Sequence, residues 1–598
     1  MKRDALSKIL DFIFNKNNTK YIVILFLIGI ILRLIFSSML GGSADEMVYG
    51  THAKGIINSG LLQEMHEDPI WFYLTDLSYK IFGMTLISSR LLSIIFGALS
   101  TIALYLLTKE MFNKKIALIA SFLLTFSAYH ILMTLTEMDI AMTFFALLSS
   151  YFLIKYLKNS VIEYHVIGTI LLGIGILVKN SGALFIPGYL IALIIYPKIK
   201  YKQKILSKKT IKSVIIFLIL MLIMALPTLI FNYILYQEKG ITDLQFSRFL
   251  SGDDKGIYQS IAHTIRPFSL ETLLVNQGNG NPGILEGIRF YWSYSIFLVL
   301  GSIIGIIFGI KKYMKEIVYL LLLFIIPFLF MSGTSLLEKH FVFAVPIFCI
   351  FSSFGIVKIS EISRKNSKKI IIILLIIFLI ISTIKLYQHT KFEKNPIQKT
   401  IEYKNKNIDY NSLVIVDSRI FNGRIAFIFN DRVYLESIYF YELAQQLNQP
   451  TNKKIKTYII ECAIDDCGWG TISNQPELNQ STENIISEFK RISSLKETIK
   501  FRGDPYLNIY ETDLPFIPGT IEAAQNTHNL FFYPVNYNPR EAILLKYDAT
   551  NPLHKFLDRI AHIILYIQLL IALLSIIGII LLLIKNQKDE TIDNNAGV

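Results

Sequence analysis

Twelve or so apolar stretches, most of them long enough to cross a bilayer, leave this chain few ways to fold. They lie at 21–40, 86–108, 116–133, 138–157, 164–178, 182–197, 213–235, 290–310, 316–332, 341–358, 369–388 and 560–584. A helix needs about 20 apolar residues to span about 30 Å of hydrocarbon. Inside hydrocarbon each backbone polar group must be satisfied within its own segment, which selects helices. No small-residue cleavage site follows the first stretch, so it is a retained helix rather than a signal peptide. With 53% hydrophobic residues and a mean hydropathy of +0.48, the chain reads as an α-helical polytopic membrane protein of about 12 spans.

Basic residues set the orientation. Lys2, Arg3, Lys8, Lys16 and Lys20 precede or open the first stretch, and the loop at 197–212 holds seven lysines. The loops around 311–315 and 358–369 are also basic, and the tail after 584 begins at Lys585. Placing all of these inside puts both termini in the cytoplasm of a multi-pass protein of the cell (plasma) membrane. The external segments are then 41–85, 133–138, 236–289 and 390–558. The net charge of +14 is a topology signal split among short loops. It forms no continuous surface for nucleic acid.

Two acidic pairs fall on the external side at the mouths of spans: Asp45-Glu46, and Glu137 with Asp139. Carboxylates are costly near hydrocarbon, so their presence at one membrane face marks a functional site. The cytoplasmic loops hold no comparable cluster, so the chemistry is expected to face outward.

The stretch 390–558 has another texture. Its apolar runs shrink to strand length at Ser412–Asp417, Arg432–Glu436, Lys456–Cys462, Glu497–Phe501 and Tyr506–Glu511. Helix-like segments at 438–447 and 483–494 lie between them, which predicts a compact external α/β domain before the last span. Three parts result: a transmembrane domain over 1–389, the α/β domain over 390–558, and a final helix with its tail over 559–598. Cys462 and Cys467 fit either a small disulfide loop or a free pair, and an external location permits the bond. Cys349 sits in a span as a packing residue. Trp71-Phe72-Tyr73 and Phe290-Tyr291-Trp292 are expected as aromatic belts at the outer interface. His52 and His130 are expected as interfacial hydrogen-bonding residues.

The N-terminal third carries Ser43-Ala-Asp-Glu-Met-Val-Tyr-Gly-Thr-His-Ala, then Met65-His-Glu-Asp-Pro-Ile-Trp-Phe-Tyr, then Ser89-Arg-Leu-Leu-Ser-Ile-Ile-Phe-Gly. Ser127-Ala-Tyr-His-Ile-Leu-Met-Thr-Leu-Thr-Glu-Met-Asp and Gly175-Ile-Leu-Val-Lys-Asn-Ser-Gly-Ala-Leu-Phe-Ile-Pro complete the run. In this order the segments resemble the GT-C superfamily of integral-membrane glycosyltransferases. The likeness is to family 39, the protein O-mannosyltransferase and aminoarabinose transferase branch. It covers roughly 20–200 by motif and 200–390 by topology alone, and no family motif falls in 390–558. The resemblance implies transfer of a sugar from a polyprenyl-phosphate donor to an acceptor on the external face. It also implies an acidic residue of the first external loop at the reacting centre, here Asp45 with Glu46 beside it.

Those residue types suit that chemistry. An acceptor hydroxyl has a high pKa, and a carboxylate within hydrogen-bond reach takes its proton as the new bond forms. One base facing a displaced phosphate gives inversion at the anomeric carbon. The leaving phosphate gathers charge that a cation must offset in a site of low dielectric. Candidates are Lys179, whose Leu-Val-Lys-Asn context resembles the family's Leu-Thr-Lys, then Arg90, Lys339 and His340. Arg90 and Lys339 are equally readable as interfacial anchors. The family often has Pro-Pro after a His or a Glu-Lys pair in its first loop, whereas this chain has His66-Glu67-Asp68-Pro69. With Glu137 and Asp139, His66 and Asp68 offer ligands to a divalent cation, Mg or Mn. In the other reading Glu137 and Asp139 orient Asp45 or cap the helix near 138.

The expected partners are a polyprenyl-phosphate sugar, a protein, lipid or glycan acceptor, and membrane lipids. A rival class is a lipid or solute transporter, or flippase, using the acidic groups as ion sites. Transporters carry internal repeats and midplane binding sites. Here the halves show no repeat and the acids lie at the outer edge. A receptor anchored by a dozen spans has far more membrane than an anchor needs.

Overall fold

A computed structural model describes residues 19–41, 44–58, 60, 62, 69–135, 138–201, 207–240, 242–243, 268–275, 281–334, 337–363, 366–420, 422–438, 451–464, 476–515, 517, 519 and 547–596. The apolar stretches are helical over most or all of their described length. In chain order they and their connections give α1 (Thr19–Ser37), α2 (Ala44–His52), α3 (Pro69–Phe82), α4 (Leu86–Met111), α5 (Lys114–Thr125) and α6 (Ala128–Leu132). Then come α7 (Asp139–Asn159), α8 (Ile162–Val178), α9 (Ile186–Tyr201), α10 (Lys208–Lys239), α11 (Leu270–Leu274), α12 (Gly283–Ser332), α13 (Val345–Ile362) and α14 (Ser367–Thr390).

Eight helices among the described residues are long and apolar enough to cross a membrane, and two shorter apolar helices accompany them. α12 accounts for two of the expected spans. Its backbone leaves helical dihedrals at Ser295 (φ −144°, ψ 35°) and Tyr313 (φ −123°, ψ 35°). The Tyr291 ring lies 6.1 Å from both Phe324 and Phe328, so the chain doubles back near Tyr313. A straight helix of that length would overshoot the hydrocarbon more than twofold at about 1.5 Å per residue. Of the expected spans, 116–133 differs most, because the helix breaks at Phe126–Ser127 and restarts as the short α6.

α4, α7 and α13 are buried along most of their length, while α10, α12 and α14 keep long apolar faces exposed. Exposed apolar surface on that scale suits lipid rather than water. Trp71, Phe72 and Tyr73 are at most 1% exposed and pack in the protein core, not in the expected belt. Trp292 is half exposed.

The C-terminal region contributes α15 (Pro396–Asn407), β1 (Leu413–Val416), α16 (Asn422–Ile428), β2 (Val433–Glu436), β3 (Lys454–Cys462), α17 (Pro476–Arg491), β4 (Ser494–Phe501), β5 (Asp504–Pro515) and the last helix, α18 (Pro552–Ala596). All five expected strands are present. The sheet order is β2-β1-β3-β5-β4, with β1 parallel to β2 and β3, and β5 antiparallel to its neighbours β3 and β4. Alternation sorts the two faces. Val414, Val416, Tyr434 and Ile460 meet α15 and α16, while Leu413, Ile415, Leu435 and Ile459 meet Ile486 of α17. Most of the helix expected at 438–447 lies outside the described residues. Cys462 is disulfide-bonded, and Cys467 also lies outside them.

This layer is seated on the helical part. Met47 of α2 and Leu86 of α4 join the hydrophobic cluster around α16. The Asn395 side chain donates to the Leu40 carbonyl at 2.7 Å, and its backbone N–H donates to Ser38 at 3.0 Å. Lys54 Nζ donates to the Asn430 carbonyl at 2.7 Å. The α/β layer therefore rests on the first loop, the segment that carries Asp45 and Glu46.

Candidate active site

Three residues from three separate parts of the chain meet at one end of the helical bundle. Asp139 stands in the first turn of α7, where the helix dipole favours a carboxylate. Lys179 follows α8 in extended conformation (φ −157°, ψ 124°), which ends that helix. His340 lies in the 3₁₀ turn Glu338–Ala344 that leads into α13. Lys179 Nζ is 2.6 Å from Asp139 Oδ2, and His340 Nδ1 is 3.2 Å from Asp139 Oδ1. Lys179 Nζ also lies 3.3 Å from His340 Nδ1. The Lys179 and His340 side chains keep 14% and 17% of their surface accessible, against 3% for Asp139. The cluster is thus a partly open cation held against a buried carboxylate. An ammonium has three donors; Asp139 takes one, and His340 Nδ1 stands within reach of a second.

Local sequence explains the placement of Lys179. The Gly182 N–H donates to the Lys179 carbonyl at 2.8 Å, closing a tight turn. A Cβ on Gly182 would approach the Gly175 backbone to 3.1 Å, so these two glycines allow the turn to fold onto α8.

Glu46 and Arg90 behave differently. Arg90 Nε and Nη2 each lie 2.6 Å from a Glu46 oxygen, a two-pronged pairing of two side chains that are both fully buried. Arg90 Nη1 also donates to the carbonyls of Ser37 and Leu40. The sequence expectation placed Glu46 at the catalytic centre and Arg90 on the donor phosphate. In this structure neither presents surface to a ligand. The pair instead ties α2 to the start of α4 and to the end of α1. It holds in place the helix turn on which Asp45 stands. Asp45 is described only through its place on α2.

Lys339 is also buried, at 8% exposure. The remaining predicted residues, Glu137, His66 and Asp68, lie outside the described residues. Both Asp139 oxygens meet nitrogen atoms in this structure. No group of three or more His, Cys, Asp or Glu suited to a metal occurs among the described residues.

Two features escaped the sequence reading. Arg33 of α1 is fully buried, with Nη2 2.7 Å from His130 Nδ1 and Nη1 donating to Gly29 at 3.0 Å. Gly97 of α4 leaves it room, since a Cβ there would lie 2.6 Å from Arg33 Nε. An arginine inside the first apolar run was the available signal. The second feature is the tyrosine clamp on the turn that carries His340. Tyr129 donates to the Glu338 carbonyl at 2.6 Å, Tyr291 to the Phe341 carbonyl at 2.9 Å, and Tyr294 to the Glu338 carboxylate. Tyr129 and Tyr294 stack at 4.7 Å. No spacing in the chain announces that clamp.

Residues 66–231 match the family model described as dolichyl-phosphate-mannose-protein mannosyltransferase. That range includes Arg90, Asp139 and Lys179 but neither Asp45 nor His340. No curated protein sequence matches the chain. Among solved structures, ArnT from Cupriavidus metallidurans bound to undecaprenyl phosphate is similar at 11% identity and a TM-score of 0.52, over 83% of this chain and 98% of that one. The apo state of ArnT from the same organism gives 11% identity and a TM-score of 0.51, over 82% and 98%. With its apolar helices, the sheet layer before the last one and these likenesses, this chain has the GT-C fold of integral-membrane glycosyltransferases.

Proposed function

We propose that the chain is a membrane glycosyltransferase that moves a sugar, a hexose or pentose, from a polyprenyl-phosphate donor to an acceptor hydroxyl. The reaction runs on the external face of the cell membrane, with inversion at the anomeric carbon and both termini of the protein in the cytoplasm. The observation that carries this reading is the Lys179–Asp139–His340 cluster, built from three sequence-distant segments at the end of the bundle that also holds α2. The undecaprenyl phosphate named in the ArnT structure supports a polyprenyl carrier here.

Asp45 takes the proton of the acceptor hydroxyl as its oxygen bonds to the anomeric carbon. The bond from that carbon to the phosphate oxygen breaks, and its electron pair leaves with the phosphate. Lys179, aimed by Asp139 and flanked by His340, offsets the charge that gathers there. The Glu46–Arg90 pair acts on Asp45 by holding α2, not by touching substrate. Lys179 occupies the role that a divalent cation would otherwise fill.

The test is transfer from a labelled polyprenyl-monophosphate sugar in membrane vesicles, with wild type beside Asp45→Asn. Removing the base is expected to lower the rate about 10²–10⁴-fold with folding intact. Equal rates in the two proteins would dismiss Asp45 as the base. No transfer by wild type with any polyprenyl-monophosphate sugar would remove the transferase reading itself.

A further inference from the structure

Among the described residues of the α/β layer, the buried acids have partners with one exception. Asp417, at the end of β1, pairs with Arg419 at 2.7 Å and accepts the Cys462 N–H at 3.0 Å. Glu461 meets Lys490 at 2.7 Å, Asn508 at 2.9 Å and Tyr510 at 2.8 Å. Glu436, the last residue of β2, is 3% exposed; its backbone lies in the ladder beside Val416, yet no hydrogen bond or ion pair joins its carboxylate to any described residue. Burial alone pushes its carboxyl up to about 8. Buried polar groups are nearly always hydrogen-bonded, so this exception calls for an explanation.

Its location supplies one. β2 alternates, so Glu436 shares a face with Tyr434, the face covered by α16. The strand ends at the level where α16 begins, because Ser418, just past β1, bonds to Ser437, just past β2. The helices α16 and α2 run side by side in the same direction. A Cβ on Gly50 would come within 2.9 Å of the Phe427 ring, and Lys54 reaches Asn430, so the contacts advance together from the two helices into the turns that follow them. Five residues back from Gly50 stands Asp45, and five back from Phe427 is the first turn of α16. Both helices rise about 1.5 Å per residue, so Asp45 and Glu436 belong to the same end of this layer. In open α/β sheets ligands bind outside the carboxyl ends of the strands at the topological switch point, here the β1/β3 boundary, one strand over from β2.

We infer that Glu436 binds the acceptor, holding a sugar-type hydroxyl beside the one that Asp45 deprotonates. A carboxyl without a cation near it suits a hydroxyl, which can both donate to it and accept from it. The inference deepens the transferase reading and rests on it, since without transfer there is no acceptor.

The test uses the full-length protein in nanodiscs. Modification of Glu436 by dicyclohexylcarbodiimide is read by peptide mass spectrometry with octyl β-D-glucoside, with octyl tetraethylene glycol ether, or with a serine-containing tripeptide. The glucoside is expected to slow labelling about tenfold, and the ether and tripeptide to leave it unchanged. Glu436→Gln, which keeps the shape, is expected to weaken binding of tritiated octyl β-D-glucoside about ten- to hundredfold, as loss of a buried carboxyl contact does. Equal labelling under all conditions would overturn the inference, and so would protection by the tripeptide alone. Labelling does not require turnover. A wild type that is protected by glucoside but transfers no sugar would fail the transferase reading and leave the binding site standing.

Discussion

Two acid–base clusters face the same end of the bundle, and they put similar charges to opposite use. Glu46 and Arg90 are both fully buried and pair through two short contacts, with the remaining guanidinium nitrogen taken by carbonyls. Lys179, Asp139 and His340 form a chain in which the two nitrogen-bearing side chains stay partly open. The first is a closed account of donors and acceptors, and such a group holds helices together. The second keeps donor capacity for a ligand. Near hydrocarbon, exposure and unspent donors separate a site from a brace more reliably than residue type does.

The sharpest test of that contrast is Glu46→Ala. Leaving Arg90 buried without its partner is expected to cost about 3–5 kcal/mol. Thermal unfolding in detergent reads the loss, and a midpoint within a degree of wild type would break the comparison. Lys179→Met tests the other arm. Transfer should fall about 10²–10³-fold, the scale for removing one donor that stabilises developing charge. The unfolding midpoint should fall by less than in Glu46→Ala, because His340 still faces the buried Asp139 when the ammonium is gone, and chelation should not change the wild-type rate. A Lys179→Met protein that unfolds early but transfers normally would exchange the roles assigned to the two clusters.

Glu436 sharpens the comparison by pH. Its carboxyl is raised from an ordinary 4.5 to about 8, so the folded protein holds this proton more tightly than the unfolded chain does. Its cost to stability is therefore absent below pH 4.5, grows as pH rises toward 8 and levels off above that. Glu436→Gln should remove that fall, gaining up to about 5 kcal/mol over wild type at pH 9 and little at pH 4. Matching unfolding curves for the two proteins at pH 9 would place the carboxyl in contact with water. The smallest effect is expected from Gly97→Ala, which crowds the buried Arg33 and should cost about 1–3 kcal/mol. A neutral Gly97→Ala would mean that α1 and α4 pack less tightly than the close approach indicates.

Much of the architecture was legible beforehand. The apolar stretches, the five strands of the C-terminal layer and its insertion before the last span all follow from local patterns. The kinked α12 was legible too, since Lys311, Lys312 and Lys315 separate its two apolar halves. The site was legible in parts. Lys179 and Asp139 stood out by their motifs, and His340 by its place before a span, but nothing joined them. Arg90 stood out for the wrong reason. An arginine opening a span resembles an interfacial anchor or a phosphate ligand, and only its bidentate contact with Glu46 reveals a brace. Trp71-Phe72-Tyr73 misled in the same way, because an aromatic run at a span mouth looks alike whether lipid or protein covers it.

By itself the sequence determined where the chain crosses the membrane and where it becomes a sheet. Transfer from water to hydrocarbon depends on each segment's own residues, and so does the two-residue period of a strand. Only the tertiary structure decided which charges pair. Coulomb and hydrogen-bond energies depend on separations of a few ångströms between residues such as Asp139 and His340, 201 positions apart in the chain. That distance is set by packing of whole helices, which no window of sequence contains.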